Sequence, residues 1–263
     1  MARTAGRTPA IVLKDARALE GMRRAGALVA ETLATLRGRC VPGVTTAELD
    51  DLARRHIEGR GGIPSFLGYP GPTPFPGAIC ASVNEEVVHG LPGPRPLRDG
   101  DIIAIDVGVI LDGWHGDAAI TVPVGAVGEE ALALIRDTEG ALAAGIAAAR
   151  PGNRLSDISA AIERYGRRRG RGIVRECTGH GIGREMHEEP DVPNFVVPGA
   201  GSGPVLRPGM TLAIEPIFTA GSAAIEPLAD EWTLVTGDGS LAAHAEHTVA
   251  ITARGPRVLT QAA

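Results

Sequence analysis

Little in this sequence declares a function by abundance. Its three cysteines, Cys40, Cys80 and Cys177, are scattered without a C-x-x-C pair, which excludes a disulfide scaffold and a zinc finger and makes a reducing cytoplasm the expected setting. No apolar run approaches the ~20 residues of a membrane span. Arg3 and Arg7 are followed by Thr8 and Pro9 rather than by an apolar stretch, so the start does not read as a secretory signal. Neither a G-x-S-x-G elbow nor a P-loop occurs, which leaves serine-hydrolase and nucleoside-triphosphatase readings without a motif. Basic residues are not in excess: the formal charge is -5, which argues against general nucleic-acid binding. Lys14 is the only lysine, a compositional bias given no functional meaning at this level. Aromatics number only eight, yet Phe66, Tyr69 and Phe75 fall together in the Gly- and Pro-rich stretch 59–77. Rings in a loop mark either a rigid connection covering a core edge or a binding surface.

What is present is an ordinary globular composition, 44% hydrophobic and 22% charged, with no repeat, linker or low-complexity segment. One compact domain follows. Leu19, Met22, Val29, Leu33 and Leu36 recur at helical spacing behind Asp15, which predicts a helix over 15–36 with Asp15 as its N-cap. Thr45 and Glu48 have capping-box spacing ahead of Leu49, Leu52 and Ile57, predicting a second helix. Two more are predicted over 129–149, stopping at Pro151-Gly152, and over 155–169, ending in Gly170. Strands are predicted over 102–109, 118–124, 173–177, 210–217, 232–236 and 247–252, with Asp112-Gly113-Trp114-His115-Gly116 as a turn between the first two.

Several of these strands carry acids where apolar residues belong. Asp106 interrupts Ile103-Ala104-Ile105-Asp106-Val107, and Asp117 follows eleven positions later. Glu215 repeats the theme in Leu212-Ala213-Ile214-Glu215-Pro216, and Glu246 does so just before the strand over 247–252. A lone buried carboxylate is costly unless something positive compensates it. Singly, each acid reads as a turn residue, a cap or half of an ion pair; four together call for a common cation. Histidine supplies a further ligand type. Gly179-His180-Gly181-Ile182-Gly183 frames one imidazole with glycines that let the backbone approach a ligand, and His187 follows in Met186-His187-Glu188-Glu189-Pro190. One nitrogen donor among several carboxylates suits Mn, Fe or Co better than a closed zinc site. Four carboxylates make two such ions, about 3.5 to 4 Å apart, a reasonable expectation, and the chemistry implied is metal-assisted hydrolysis.

The segments Val87-Val88-His89-Gly90, Ile105-Asp106-Val107-Gly108, His115-Gly116-Asp117, Gly179-His180-Gly181-Ile182-Gly183, His187-Glu188-Glu189-Pro190, Ile214-Glu215-Pro216 and Glu246-His247-Thr248 together resemble the type I methionine aminopeptidases of the pita-bread metallopeptidase superfamily. The resemblance implies an α/β (α+β) single-domain fold, a curved, mostly antiparallel sheet covered by helices, with a tail over 1–11 and the catalytic domain over 12–263. It implies two divalent ions, with Asp106 on one, Asp117 and Glu246 bridging, His180 and Glu215 completing the second, and Glu215 also shuttling a proton. His89 and His187 resemble the family's two non-ligand histidines at the scissile amide. The methionine pocket maps onto Tyr69, Cys80, Met186 and Trp232, with Phe66 and Phe75 beside them; Phe66 and Met186 depart from the Cys and Phe expected in bacterial relatives. The implied substrates are N-termini of nascent polypeptides whose second residue is small, cleaved by a cytoplasmic monomer. No membrane or specific nucleic acid is implied. The run Arg167-Arg168-Arg169-Gly170-Arg171 reads first as a solvated helix end, with ribosome docking as its other use. The alternatives are an X-Pro aminopeptidase or dipeptidase sharing the ligand set, and a non-catalytic pita-bread binding protein, which would lack ligands that are present here.

Overall fold

The Asp15 side chain accepts a hydrogen bond from the Ala18 amide at 2.8 Å and opens helix α1 (Ala16–Arg37), whose buried stripe includes Met22, Ala25, Val29, Leu33 and Leu36. Thr45 and Glu48 exchange the two bonds of a capping box, Glu48 N to Thr45 Oγ1 at 3.2 Å and Thr45 N to Glu48 Oε2 at 2.8 Å, and start α2 (Thr46–Glu58). Such a cap is worth about 1 kcal/mol. Helix α3 spans Glu129–Ala148 and α4 spans Leu155–Arg167. The last ends two residues short of the predicted 169, its polar arginines turning out before Gly170 at φ +66°.

This computed structural model describes residues 10–261; residues 1–9, which hold Arg3, Arg7 and most of the tail expected over 1–11, and residues 262–263 lie outside the described residues. Fifteen short strands follow one another as β1 (Ile63–Pro64), β2 (Cys80–Val83), β3 (Glu86–Val88), β4 (Ile102–Leu111), β5 (Trp114–Pro123), β6 (Gly172–Ile173), β7 (Gly179–Gly181) and β8 (Glu188–Val192). The series continues with β9 (Thr211–Ile214), β10 (Ile217–Thr219), β11 (Ile225–Pro227), β12 (Leu234–Thr236), β13 (Ala242–His244), β14 (His247–Thr252) and β15 (Gly255–Val258). One sheet joins β1, β4, β2 and β5; a five-stranded sheet runs β15-β14-β9-β7-β8; two three-stranded sheets, β13-β10-β6 and β11-β12-β3, complete the set. Every pairing between these strands is antiparallel.

Two cores lie on the two halves. Leu28, Leu33 and Leu36 of α1 and Leu49 and Ile57 of α2 pack on Ile103, Ile105 and Val107 of β4. Leu134 and Leu142 of α3 and Ile158 and Ile162 of α4 pack on Leu212, Ile214, Phe218 and Val249. The halves meet along β5 and the start of β14. There Glu246 N donates to Ala119 O at 2.9 Å, and Thr248 Oγ1 both accepts from Asp117 N at 3.0 Å and donates to Asp117 O at 2.9 Å. The helix-covered antiparallel sheet implied by the resemblance is therefore the fold observed, and the seam between its halves is where the acids collect.

The structure corrects several local expectations. The turn after β4 is only Asp112-Gly113, at φ 51° and 72°, because Asp-Gly fits the two-residue hairpin turn that needs positive φ at both positions. Trp114 and His115 therefore belong to β5, paired with Leu111 and Ile110. The strand predicted over 210–217 breaks at Glu215-Pro216, where proline offers no amide to a ladder. Those predicted over 173–177 and 232–236 shrink to Gly172–Ile173 and Leu234–Thr236.

Candidate metal centre

Each acid reaches the seam from a different strand. Asp106 lies on β4 opposite Cys80, and Asp117 on β5 opposite Gly108. His180 is central in β7 opposite Ala213. Glu215 leaves the end of β9 and Glu246 enters β14, next to the His247–Ile214 pair. The two glycines flanking His180 serve neighbouring backbone rather than a ligand, which revises the sequence reading: a Cβ at Gly179 would collide with Ala213 O, and one at Gly181 with Glu189 O.

Ligand atoms of Asp117, His180 and Glu246, all buried, lie within 4.8 Å of one another. His180 Nε2 is 3.8 Å from Asp117 Oδ2 and 3.7 Å from Glu215 Oε1. Its Nδ1 lies 2.8 Å from Gly181 O, so Nδ1 carries the donated proton and Nε2 offers a lone pair to the acids. Burial drives the electrostatics. It pushes the Asp106 carboxyl up to about 7, and, helped by the neighbouring carboxylates, it raises Asp117, Glu215 and Glu246 well above the usual carboxylate range. Burial likewise pushes His180 down to about 3. Among the described residues, Asp106 Oδ1, Asp117 Oδ1 and Glu246 Oε1 are buried without any hydrogen-bond partner. Four converging acids, three orphaned oxygens and an imidazole lone pair fit a divalent cation, since among the described residues no Lys or Arg reaches them in an ion pair.

Above this floor stands an apolar wall. Phe75 lies edge-on to Phe66 at 6.4 Å and to Trp232 at 5.1 Å, and Trp232 Nε1 donates to Thr73 O at 3.1 Å. Tyr69 Oη is 2.6 Å from His187 Nδ1, and the His187 ring lies 4.3 Å from that of His180. His89 sits edge-on to Trp232 at 6.3 Å with φ +58°, a left-handed conformation uncommon for a residue with a Cβ, held by Gly90 N donating to Ser82 Oγ at 3.1 Å. Both His89 and His187 are exposed at the mouth. All thirteen residues singled out in the sequence line one cavity of about 160 Å³. A second groove of about 600 Å³ passes Lys14, Arg24, Asp112 and Arg184, where Lys14 pairs with Glu188, Arg24 pairs with Asp112 at 2.8 Å and Arg184 donates to Gly113 O at 2.8 Å.

Four supporting residues escaped the sequence reading. Lys14 is buried and pairs with Glu188, whose other oxygen accepts from Arg184 N at 2.8 Å, fixing the turn that carries Met186 and His187. Its being the sole lysine is the one signal the sequence carries for it. Asp50 accepts from Ala78 N at 2.7 Å and Ile79 N at 3.0 Å, pinning the approach to Cys80. Ser65 Oγ is 3.1 Å from His115 Nδ1 beneath the wall. His244, two residues before Glu246, faces the carboxylates from the far side.

Fold and donor set together define a metal-dependent hydrolase of pita-bread architecture. The chain belongs to metallopeptidase family M24, which matches residues 20–253. It is 50% identical over 251 residues to methionine aminopeptidase 1 of Bacillus subtilis, covering 95% of this chain and 99% of that one. The methionine aminopeptidase structure from Thermotoga maritima superposes with a TM-score of 0.92 at 42% identity, covering 96% of this chain and all of that one. The Xaa-Pro dipeptidase from Bacillus anthracis shares the fold alone, with a TM-score of 0.77 at 20% identity, and this chain covers only 62% of it.

Proposed function

We propose that this enzyme is an aminopeptidase that removes an N-terminal methionine from nascent proteins and peptides when the next residue is small. The observation that carries the reading is the single cavity in which an acid–imidazole floor, two histidines at the mouth and an aromatic, sulfur-bearing wall meet. Asp106, Asp117, His180, Glu215 and Glu246 would hold two divalent ions. When bound, such a pair supplies positive charge that acidifies a water and polarises the scissile carbonyl.

The chain's own residues do the rest. With the Tyr69 phenol donating to His187 Nδ1 at 2.6 Å, His187 Nε2 keeps its proton and serves as donor to the oxygen of the scissile amide. His89, across the mouth, donates from the other side. Glu215, at the edge of the floor, takes the proton of the attacking water and passes it to the departing amine. Tyr69, Cys80, Met186, Trp232, Phe66 and Phe75 enclose an unbranched thioether and exclude water from it. Burial holds the Cys80 thiol well above its usual range, so it packs as a neutral wall atom and is no nucleophile.

The catalytic unit proposed is residues 12–263, acting as a cytoplasmic monomer. Within the described residues no helix is long and apolar enough to cross a membrane. Three arginines of the 167–171 run are engaged by acids, Arg167 with Glu163 at 2.6 Å and Arg169 and Arg171 each with Asp137 at 2.8 Å, which supports the solvated-helix-end reading of that run. The test is release of free methionine from Met-Ala-Ser and Met-Leu-Ser, each with and without added Mn or Co after EDTA, against Ala-Pro. Metal-dependent cleavage of Met-Ala-Ser alone supports the reading; efficient cleavage of Ala-Pro with Met-Ala-Ser untouched overturns it in favour of an X-Pro enzyme.

A further inference from the structure

The acid floor is bounded by two imidazoles, and only one of them belongs to the ligand set above. Glu215 lies between them: its Oε1 is 3.7 Å from His180 Nε2 and its Oε2 is 3.9 Å from His244 Nε2. His244 Nε2 is also 3.8 Å from Glu246 Oε2. The residue is only 3% exposed, and its Nε2 is buried without a hydrogen-bond partner among the described residues. Its backbone is fixed: His244 N donates to Thr121 Oγ1 at 3.0 Å, while Thr121 Oγ1 donates to His244 O at 2.8 Å. In β13 it stands opposite Ile217, just past the Glu215-Pro216 break.

We propose that His244 is a positioning residue of the metal centre, whose Nε2–H is shared by the Glu215 and Glu246 carboxylates and holds both in ligating orientation. The two imidazoles differ in what fixes their protons. His180 is locked by the Gly181 carbonyl on Nδ1, which leaves Nε2 as a lone pair and makes it a ligand. Among the described residues no acceptor holds His244 Nδ1, so its proton is free to sit on Nε2, the only form complementary to two carboxylate oxygens on that side. The spacing is longer than a hydrogen bond, and the terminal torsion of a glutamate is soft enough to close it without moving the strands. One donor then orients a ligand from the end of β9 and a ligand from the start of β14 at once.

The inference rests on the metal-centre reading, and the experiment separates their failures. Metal-free wild type, His244→Ala and His244→Gln are titrated with Co(II) by calorimetry, and the visible spectra of the loaded proteins are recorded. His244→Ala is expected to bind Co(II) about tenfold or more weakly, as loss of an outer partner typically does. His244→Gln, which keeps an N–H donor of similar reach, is expected to restore wild-type affinity and an unchanged spectrum. Wild-type affinity in His244→Ala overturns the proposal while leaving the centre intact. A shifted spectrum in His244→Gln overturns it in favour of direct ligation by His244. Failure of the wild type to bind Co(II) at all removes the metal-centre reading itself. Where His244→Ala does not fold, His244→Leu, closer in volume, carries the same comparison.

Discussion

The floor and the wall of the one cavity are built on opposite terms. The wall is complete within the chain: Phe66, Phe75 and Trp232 meet edge to face, and the indole N–H has its carbonyl. Burying Phe66 and Phe75 stabilises the fold by about 1.5 to 3 kcal/mol each. The floor is incomplete within the described residues, among which four carboxylates converge with orphaned oxygens and no ion-paired Lys or Arg. The neighbouring Glu188 shows the contrast, for there a half-buried acid receives the only lysine of the sequence. Where the fold needs a carboxylate neutralised internally it supplies the cation; at the floor it leaves that charge to a ligand. Damage to the floor should therefore abolish chemistry, and damage to the wall should shift selectivity.

Metal removal is the strongest way to break that contrast. Treatment with EDTA should abolish cleavage of Met-Ala-Ser and divalent ion should restore it; full turnover in a demonstrably metal-free sample would leave the floor without a role. The metal-free protein should also report the trapped charge. Burial holds Asp106 up to about 7, while the unfolded chain titrates it near its usual value of about 4. The folded form thus retains a proton that the unfolded form releases, so this contribution to stability is fullest below about pH 4 and is lost as pH rises towards 7. Melting temperature against pH, for metal-free wild type and Asp106→Asn, checks it. An equal slope in both proteins would show that Asp106 contributes nothing to it.

Lys14→Met tests the internally neutralised acid. Side chains at Lys14 and Glu188 are 3% and 12% exposed, and removing the ammonium leaves the largely covered Glu188 carboxylate with only amide partners. A loss of about 3 kcal/mol, the lower end for breaking a buried pair, is expected in urea unfolding, with Lys14→Arg retaining most of the stability. A Lys14→Met protein as stable as wild type would show that Glu188 needs no cation and weaken the inference drawn for the floor.

His187 joins the two regions, bonded to Tyr69 of the wall and with its ring tilted against that of His180 of the floor. Its replacement by Ala should leave metal content unchanged and lower turnover at least about tenfold, the equivalent of 1.4 kcal/mol in the transition state. Tyr69→Phe should cost less, since it removes the orienting partner and not the donor. Altered metal stoichiometry in His187→Ala would move His187 into the floor, and unchanged turnover would remove it from the reaction.

The floor was legible in the sequence because charge breaks pattern: Asp106 among Ile103, Ile105 and Val107, or Glu215 after Leu212 and Ile214, is anomalous in a buried strand whatever its partners. The helices were legible because caps and apolar spacing are local. The wall was legible only through its loop aromatics and the family resemblance, since nothing local brings Trp232 to Phe75. Short strands such as Gly179–Gly181 and Glu188–Val192 escaped because Gly, Pro and acidic residues mask strand composition, and the pairing of the first with β9, and of the second with the first, is set by the fold and not by local pattern. His244 and Lys14 escaped for a related reason: each is ordinary in its own segment, and only the fold places His244 beside Glu215 or Lys14 beside Glu188.

The smallest expected effect lies in the wall. Tyr69, Cys80, Met186, Trp232, Phe66 and Phe75 offer a methionine side chain apolar, sulfur and ring surface. Replacing the thioether sulfur by a methylene keeps length and shape, and forfeits only the sulfur–aromatic preference of about 0.3 to 1.5 kcal/mol. Norleucine-Ala-Ser should accordingly be cleaved with kcat/KM within about tenfold of Met-Ala-Ser, one factor of ten being about 1.4 kcal/mol. Lys-Ala-Ser has similar reach but would bring an ammonium against rings with no carboxylate to receive it, so it should be rejected far more strongly. Competitive cleavage of the three peptides measures both ratios. Lys-Ala-Ser processed as well as norleucine-Ala-Ser would mean that the first side chain reaches the acids, and the division of the cavity into a charged floor and an apolar wall would fail at its boundary.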